Sequence, residues 1–76
     1  MKSFEIKLST IEDVRNFVNQ VTLCDCEVDL ASGRYIVDAK SIMGIFSLDL
    51  MSPIKMTIHS DNCEDLIKNI GQYIIK

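Results

Sequence analysis

Four segments of this chain alternate apolar and polar residues with a period of two, and no other feature restricts the fold as tightly. Residues 3–8 put Phe4, Ile6 and Leu8 on one side and Ser3, Glu5 and Lys7 on the other. Residues 23–30, LCDCEVDL, put Cys24, Cys26, Val28 and Leu30 inward and Asp25, Glu27 and Asp29 outward. Residues 34–39, RYIVDA, turn Tyr35, Val37 and Ala39 inward and Ile36 outward. Residues 54–60, IKMTIHS, turn Ile54, Met56 and Ile58 inward and Lys55, Thr57 and His59 outward. This alternation predicts strands with one buried face each. A sheet of four such strands needs cover on one side only and leaves a polar side to water.

The cover is written between the strands at helical spacing. Ser9 is followed by Glu12 and Thr10 by Asp13, and either pair satisfies the capping-box pattern. The stripe that follows is Ile11, Val14, Phe17, Val18 and Val21. Ser32 and Gly33 supply a turn between the second and third strands. A short helix is predicted from Ser41 to about Phe46, and Pro53 breaks the chain before the fourth strand. Asp61 or Asn62 caps a last helix whose stripe is Leu66, Ile67, Ile70 and Tyr73 or Ile74. The order is βαββαβα, an α+β open-faced β-sandwich with a four-stranded antiparallel sheet and helices on one face. Residues 1–76 are expected to form a single domain, without repeat, linker or low-complexity segment.

Charge and cysteine usage narrow the function classes. The net charge is −3 and no Lys/Arg stripe occurs, so nucleic acid is a poor partner. No apolar run is long enough to insert in a membrane, and MKSFEIKLS alternates where a signal peptide would be uniformly apolar. Three cysteines, an odd number, suggest a reducing compartment and hence the cytoplasm. Cys24 and Cys26, two apart in a strand, would lie about 7 Å apart, too far for an easy disulfide. Cys24, Cys26, Cys63 and His59 match no standard zinc spacing, so no metal and no cofactor is expected. The cysteines then serve as small hydrophobes. No Ser/His/Asp set and no glycine-rich phosphate loop is present, and the chain is not expected to be an enzyme.

One stretch carries more hydrophobe than a short helix can bury. In DAKSIMGIFSLDL, residues 38–50, Ser41 sits at the head of the run, and Ile45 and Leu48 can face the sheet. Ile42, Met43 and Phe46 are then left less covered. The run from Ala39 to Gly44, followed by Ser47 and Leu48, resembles the A-K-S-I-M-G-x-x-S-L hallmark of HPr, the histidine-containing phosphocarrier of the bacterial sugar phosphotransferase system. V-D-A-K-S resembles the strand before that family's short helix, K-M-T-I-H-S its last strand, and the βαββαβα order is the family's own. The resemblance covers essentially the whole chain and is most specific at 39–48. It implies that Ser41 stands at the family's regulatory phosphoserine position. It also implies that Ile42, Met43 and Phe46 form a docking patch for proteins of the phosphotransferase type: an enzyme, a kinase or a transcription regulator.

The same comparison marks a departure. The family accepts phosphate on a histidine in a G-x-H-x-R-P motif at the start of its first helix, where backbone N–H groups and the arginine favour an anion. Here Ser9-Thr10-Ile11-Glu12-Asp13 stands in that place. Thr10 falls at the histidine's position, Glu12 at the arginine's and Asp13 at the proline's. Two carboxylates suit the helix dipole themselves and repel phosphate. The sole histidine, His59, belongs to the last strand's outward face. The expectation is an HPr-like protein-binding or regulatory module, monomeric, without the phosphocarrier histidine. The alternatives are a phosphocarrier with a non-standard acceptor, and a degenerate paralogue kept for an unrelated structural contact.

Overall fold

The computed structural model describes residues 2–60 and 63–75. Four strands, β1 (Lys2–Ile6), β2 (Val28–Ser32), β3 (Tyr35–Asp38) and β4 (Ile54–Ile58), form one antiparallel sheet in the order β1-β4-β2-β3. Helices α1 (Ile11–Thr22), α2 (Ile42–Phe46) and α3 (Glu64–Asn69), with a 3-10 turn at Gly71–Tyr73, complete the βαββαβα order. The expected α+β open-faced sandwich is therefore the observed architecture.

The register explains why one face is apolar. Phe4 stands opposite Met56, Met56 opposite Leu30, and Leu30 opposite Val37, while Ile6 pairs with Ile54 and Val28 with Ile58. All but Phe4 and Val37 of this set are fully buried, beneath Val14, Phe17 and Val21 of α1, Ile45 of α2 and Leu66 of α3. Because side chains alternate, a one-residue slip would carry this whole set to water. Phe17 meets Tyr73 edge to face at a centroid distance of 6.2 Å, tying α1 to the chain's end. The segment after the 3-10 turn also covers the edge of β1. Lys7 N–H donates to Tyr73 O at 2.9 Å and Ile75 N–H to Glu5 O at 2.8 Å.

Several sequence expectations require correction. Residues 23–27 do not extend β2: Leu23 caps α1 in a right-handed helical conformation, and bends follow until Val28. Asp25 and Glu27 are therefore exposed loop residues and not the outward side of a strand. The hairpin turn is Gly33–Arg34, since Ser32 still pairs with Tyr35. Gly33 has φ 61 and Arg34 does not have positive φ, the arrangement of a type II′ turn with glycine first. Tyr35, expected inward, is exposed, because it stands at the hairpin end of the edge strand. Ile11, expected in the buried stripe, is 67% exposed at the first helical position. β4 and α3 are shorter than expected, and the expected cap at Asp61 or Asn62 lies outside the described residues.

Candidate functional site

At the amino end of α1 the polar groups satisfy one another. Thr10 is the N-cap, with extended backbone, and its Oγ1 accepts the N–H of Asp13 at 3.0 Å. Asp13 Oδ2 accepts the N–H of Ser9 at 3.1 Å and that of Thr10 at 3.2 Å. Of the two capping boxes legible in the sequence, Thr10–Asp13 is the one that forms. The Asp13 carboxylate occupies the place an external anion would take against these amides, and Glu12 adds a second negative charge in the same turn.

The second helix start is built differently. The chain leaves β3 through Asp38, whose carbonyl accepts Ser41 N–H at 2.9 Å and whose Oδ1 accepts Lys40 N–H at 2.8 Å. This turn sets Ser41 as the N-cap of α2, where its Oγ accepts Gly44 N–H at 3.2 Å. Ser41 is exposed and no carboxylate stands in the first turn of α2. Gly44 lets the helix sit close: a Cβ there would lie 3.0 Å from Ser41 Oγ and 3.2 Å from Val37 Cβ. At the other end, the Ser47 hydroxyl donates to Gly44 O.

Burial divides the apolar run as its helical spacing anticipates. Ile45 is fully buried and Leu48 nearly so. Met43 is 77% and Phe46 39% exposed, and Ile42 is half-buried against the core. Ile11 and Met51 are further exposed apolar side chains, on α1 and just beyond α2, that the sequence reading did not place on the surface. Ile11 misled because its spacing to Val14 is helical. Its position at the first turn, where a helix can overhang its sheet, was the signal available.

The open face of the sheet carries two cross-strand rows. Ser3, Thr57, Asp29 and Asp38 form one, and Glu5, Lys55, Ala31 and Ile36 the other. Asp29 and Asp38 stand directly opposite, a like-charge pair that costs energy unless answered. Asp29 Oδ2 is hydrogen-bonded to His59, whose Nε2 lies 2.8 Å away. Asp38 turns its carboxylate to the Lys40 amide. The outward, solvated position expected for His59 is thus observed, with a carboxylate partner that no sequence pattern indicated. It stands in no helix start. Among the described residues, no group of three or more His, Cys, Asp or Glu side chains is placed to hold a metal ion. No described helix is long and apolar enough to cross a membrane.

A half-open sandwich with two capped helix starts, one closed by its own carboxylate and one crowned by exposed apolar side chains, is a recognisable class of small α+β domain. That class has known structural representatives. HPr-C-His from Thermoanaerobacter tengcongensis superimposes with a TM-score of 0.80 at 25% identity, over 95% of this chain and 89% of that one. The phosphocarrier protein HPr from Bacillus anthracis str. Ames gives 0.71 at 23% identity, over 97% and 94%. The Bacillus subtilis catabolite repression protein Crh, described as a domain-swapped intertwined dimer, gives 0.65 at 19%, over 93% and 88%. No family model and no curated protein matches the sequence. The chain is HPr-like, with the fold of the phosphocarrier proteins over essentially all of its length.

Proposed function

We propose that this chain is a protein-binding or regulatory module related to the phosphotransferase system, and that it does not carry phosphate at the amino end of α1. Thr10 stands where the family keeps its histidine, and the capping box closes that helix start with a carboxylate. The closed capping box is the observation that supports the reading most directly. An incoming phosphoryl group would have to displace Asp13 from two amides and would meet Glu12 beside it. The protein acts as a docking partner and not as an enzyme, in the cytoplasm and as a monomer.

Docking runs through Ile42, Met43 and Phe46, with Ser41 at the regulatory phosphoserine position. Met43 is unbranched and adaptable, and together with an exposed aromatic edge it suits an apolar groove on a partner. That partner is an enzyme, a kinase or a transcription regulator of phosphotransferase type. Phosphate on Ser41 would bring close to two negative charges to a helix start, displacing the serine's present role as acceptor for Gly44 N–H. It would weaken a purely apolar partner and favour one bearing Arg or Lys near the groove.

Incubation with phosphoenolpyruvate and the family's first enzyme, followed by intact mass before and after acid, tests the central point. The expected result is no gain of phosphate, either before or after acid. An acid-labile adduct on His59, or an acid-stable one on Thr10, would instead establish the alternative, a phosphocarrier with a non-standard acceptor. For Ser41 the test is an HPr serine kinase with ATP. Wild type should gain one acid-stable phosphate and a Ser41→Ala variant none; an unmodified wild type ends the switch proposal.

A further inference from the structure

The connection between α1 and β2 holds two sulfur atoms in contact. Because residues 23–27 bend where an extended strand was expected, the thiol of Cys24 donates to Cys26 Sγ at 3.0 Å. A disulfide places its sulfurs about 2.0 Å apart, so the pair is within about 1 Å of bonding distance. Cys24 is partly exposed and Cys26 buried. Cys24 also lines a cleft between the end of α1 and α3, beside Gln20, Leu23 and Asp65, through which a small reagent can reach it. The third thiol, Cys63, is buried and donates to Ser60 O at 3.6 Å. It has no part in this arrangement.

We infer that Cys24 and Cys26 are an oxidative modification site, forming a reversible intramolecular disulfide in exchange with a low-molecular-weight disulfide. The Cys24 thiol loses its proton to water, and the thiolate attacks one sulfur of the small disulfide. That S–S bond breaks, and the first small thiolate leaves. Cys26 then loses its proton and its sulfur attacks Cys24 Sγ, which displaces the second small thiolate and closes the ring. Two protein thiols are oxidised and one small disulfide is reduced to two thiols. The roles follow from access: Cys24 meets the reagent first, and the buried Cys26 resolves the mixed disulfide before a second reagent molecule can reach it. A ring spanning one intervening residue is tight, which places this disulfide among the readily reduced ones.

Oxidised glutathione supplied to the native protein at an alkaline pH, where the Cys24 thiolate forms, tests the assignment, read by intact mass and by a tryptic digest. The peptide of residues 16–34 contains Cys24 and Cys26 and excludes Cys63. The expected product is that peptide about 2 Da lighter, the loss of two hydrogens, restored in full by dithiothreitol. A Cys26→Ser variant should instead retain one glutathione on Cys24, because nothing displaces it. Wild-type peptide that carries glutathione on either cysteine without ring closure overturns the proposal. So does a disulfide that includes Cys63, a disulfide between two chains, or an unchanged mass. The wild-type readout stands alone if the variant fails to fold.

Discussion

The hydroxyl of Thr10 and the carboxylate of Asp13 cap each other's backbone: Thr10 Oγ1 accepts Asp13 N–H at 3.0 Å, and Asp13 Oδ2 accepts Thr10 N–H at 3.2 Å. Removal of either side chain leaves amides of the α1 start dependent on water. Thr10→Ala should destabilise the fold by about 1 kcal/mol, as for N-cap losses generally, and Asp13→Ala by a similar amount. The two act as one unit, so the double variant should cost less than the sum of the singles. Urea denaturation of the four proteins measures this coupling. Strict additivity would mean that the box contributes nothing as a pair.

Gly44 illustrates how a helix-breaking residue can be required inside a helix. Alanine there gains about 1 kcal/mol of helix propensity. Its Cβ, however, would sit 3.2 Å from Val37 Cβ and 3.0 Å from the capping oxygen of Ser41. Val37 is β-branched on an edge strand held by Leu30, so neither neighbour yields freely. Gly44→Ala should therefore be net destabilising, by about 1–3 kcal/mol, as overpacking usually is. Gly71, where a Cβ would meet nothing within 4 Å, is the control: Gly71→Ala should be neutral or mildly stabilising. Chemical denaturation of both variants checks the contrast.

Neighbouring residues on α2 should respond in opposite ways. Ile45 is fully buried among the sheet residues, and Ile45→Ala should cost about 2–5 kcal/mol. Met43 and Phe46 reach solvent, so Met43→Glu should change stability by no more than about 0.5 kcal/mol. Phe46→Glu should keep the fold and abolish partner capture. A collapsed fold in the Phe46 variant, seen as loss of the cooperative thermal transition, would place Phe46 in the core.

Most of the sheet was legible in the sequence because one buried face imposes strict alternation. Phe4, Ile6, Ile54, Met56 and Ile58 followed the pattern and landed where it put them. The α2 cap and its division into buried Ile45 and exposed Met43 were equally legible, since Ser41 and the helical period fix both. The failures have separate causes. Cys24 and Cys26 alternate with Asp25 and Glu27 as a strand would, yet only the Glu27 carbonyl bonds to the neighbouring chain, at His59 N–H, and the chain bends before it. Alternation reports burial, and a loop can satisfy it for four residues. Tyr35 obeys the alternation but lies past the helical cover, a matter of layer size that no local pattern states. The Asp29–His59 contact joins residues 30 apart in sequence and depends on register alone.

The cysteine contact also sets a pH dependence. Donation to Cys26, reinforced by removal from water, raises the pKa of the Cys24 thiol above its usual value. The folded chain then holds this proton more tightly than the unfolded chain does. Its contribution to stability is complete below the unfolded thiol value of about 8.5 and is lost as pH rises through the higher folded value. Urea midpoints of wild type should therefore fall between pH 8 and pH 10 relative to a Cys24→Ala variant, in which this proton is absent. Alkylation of Cys24 by iodoacetamide should likewise accelerate only at a pH above the range of an ordinary exposed thiol, because the thiolate is the reactive form. Midpoints that run parallel for the two proteins across that range, or Cys24 alkylation as fast at neutral pH as in an unstructured peptide, would show that the sulfur contact does not hold the proton in solution.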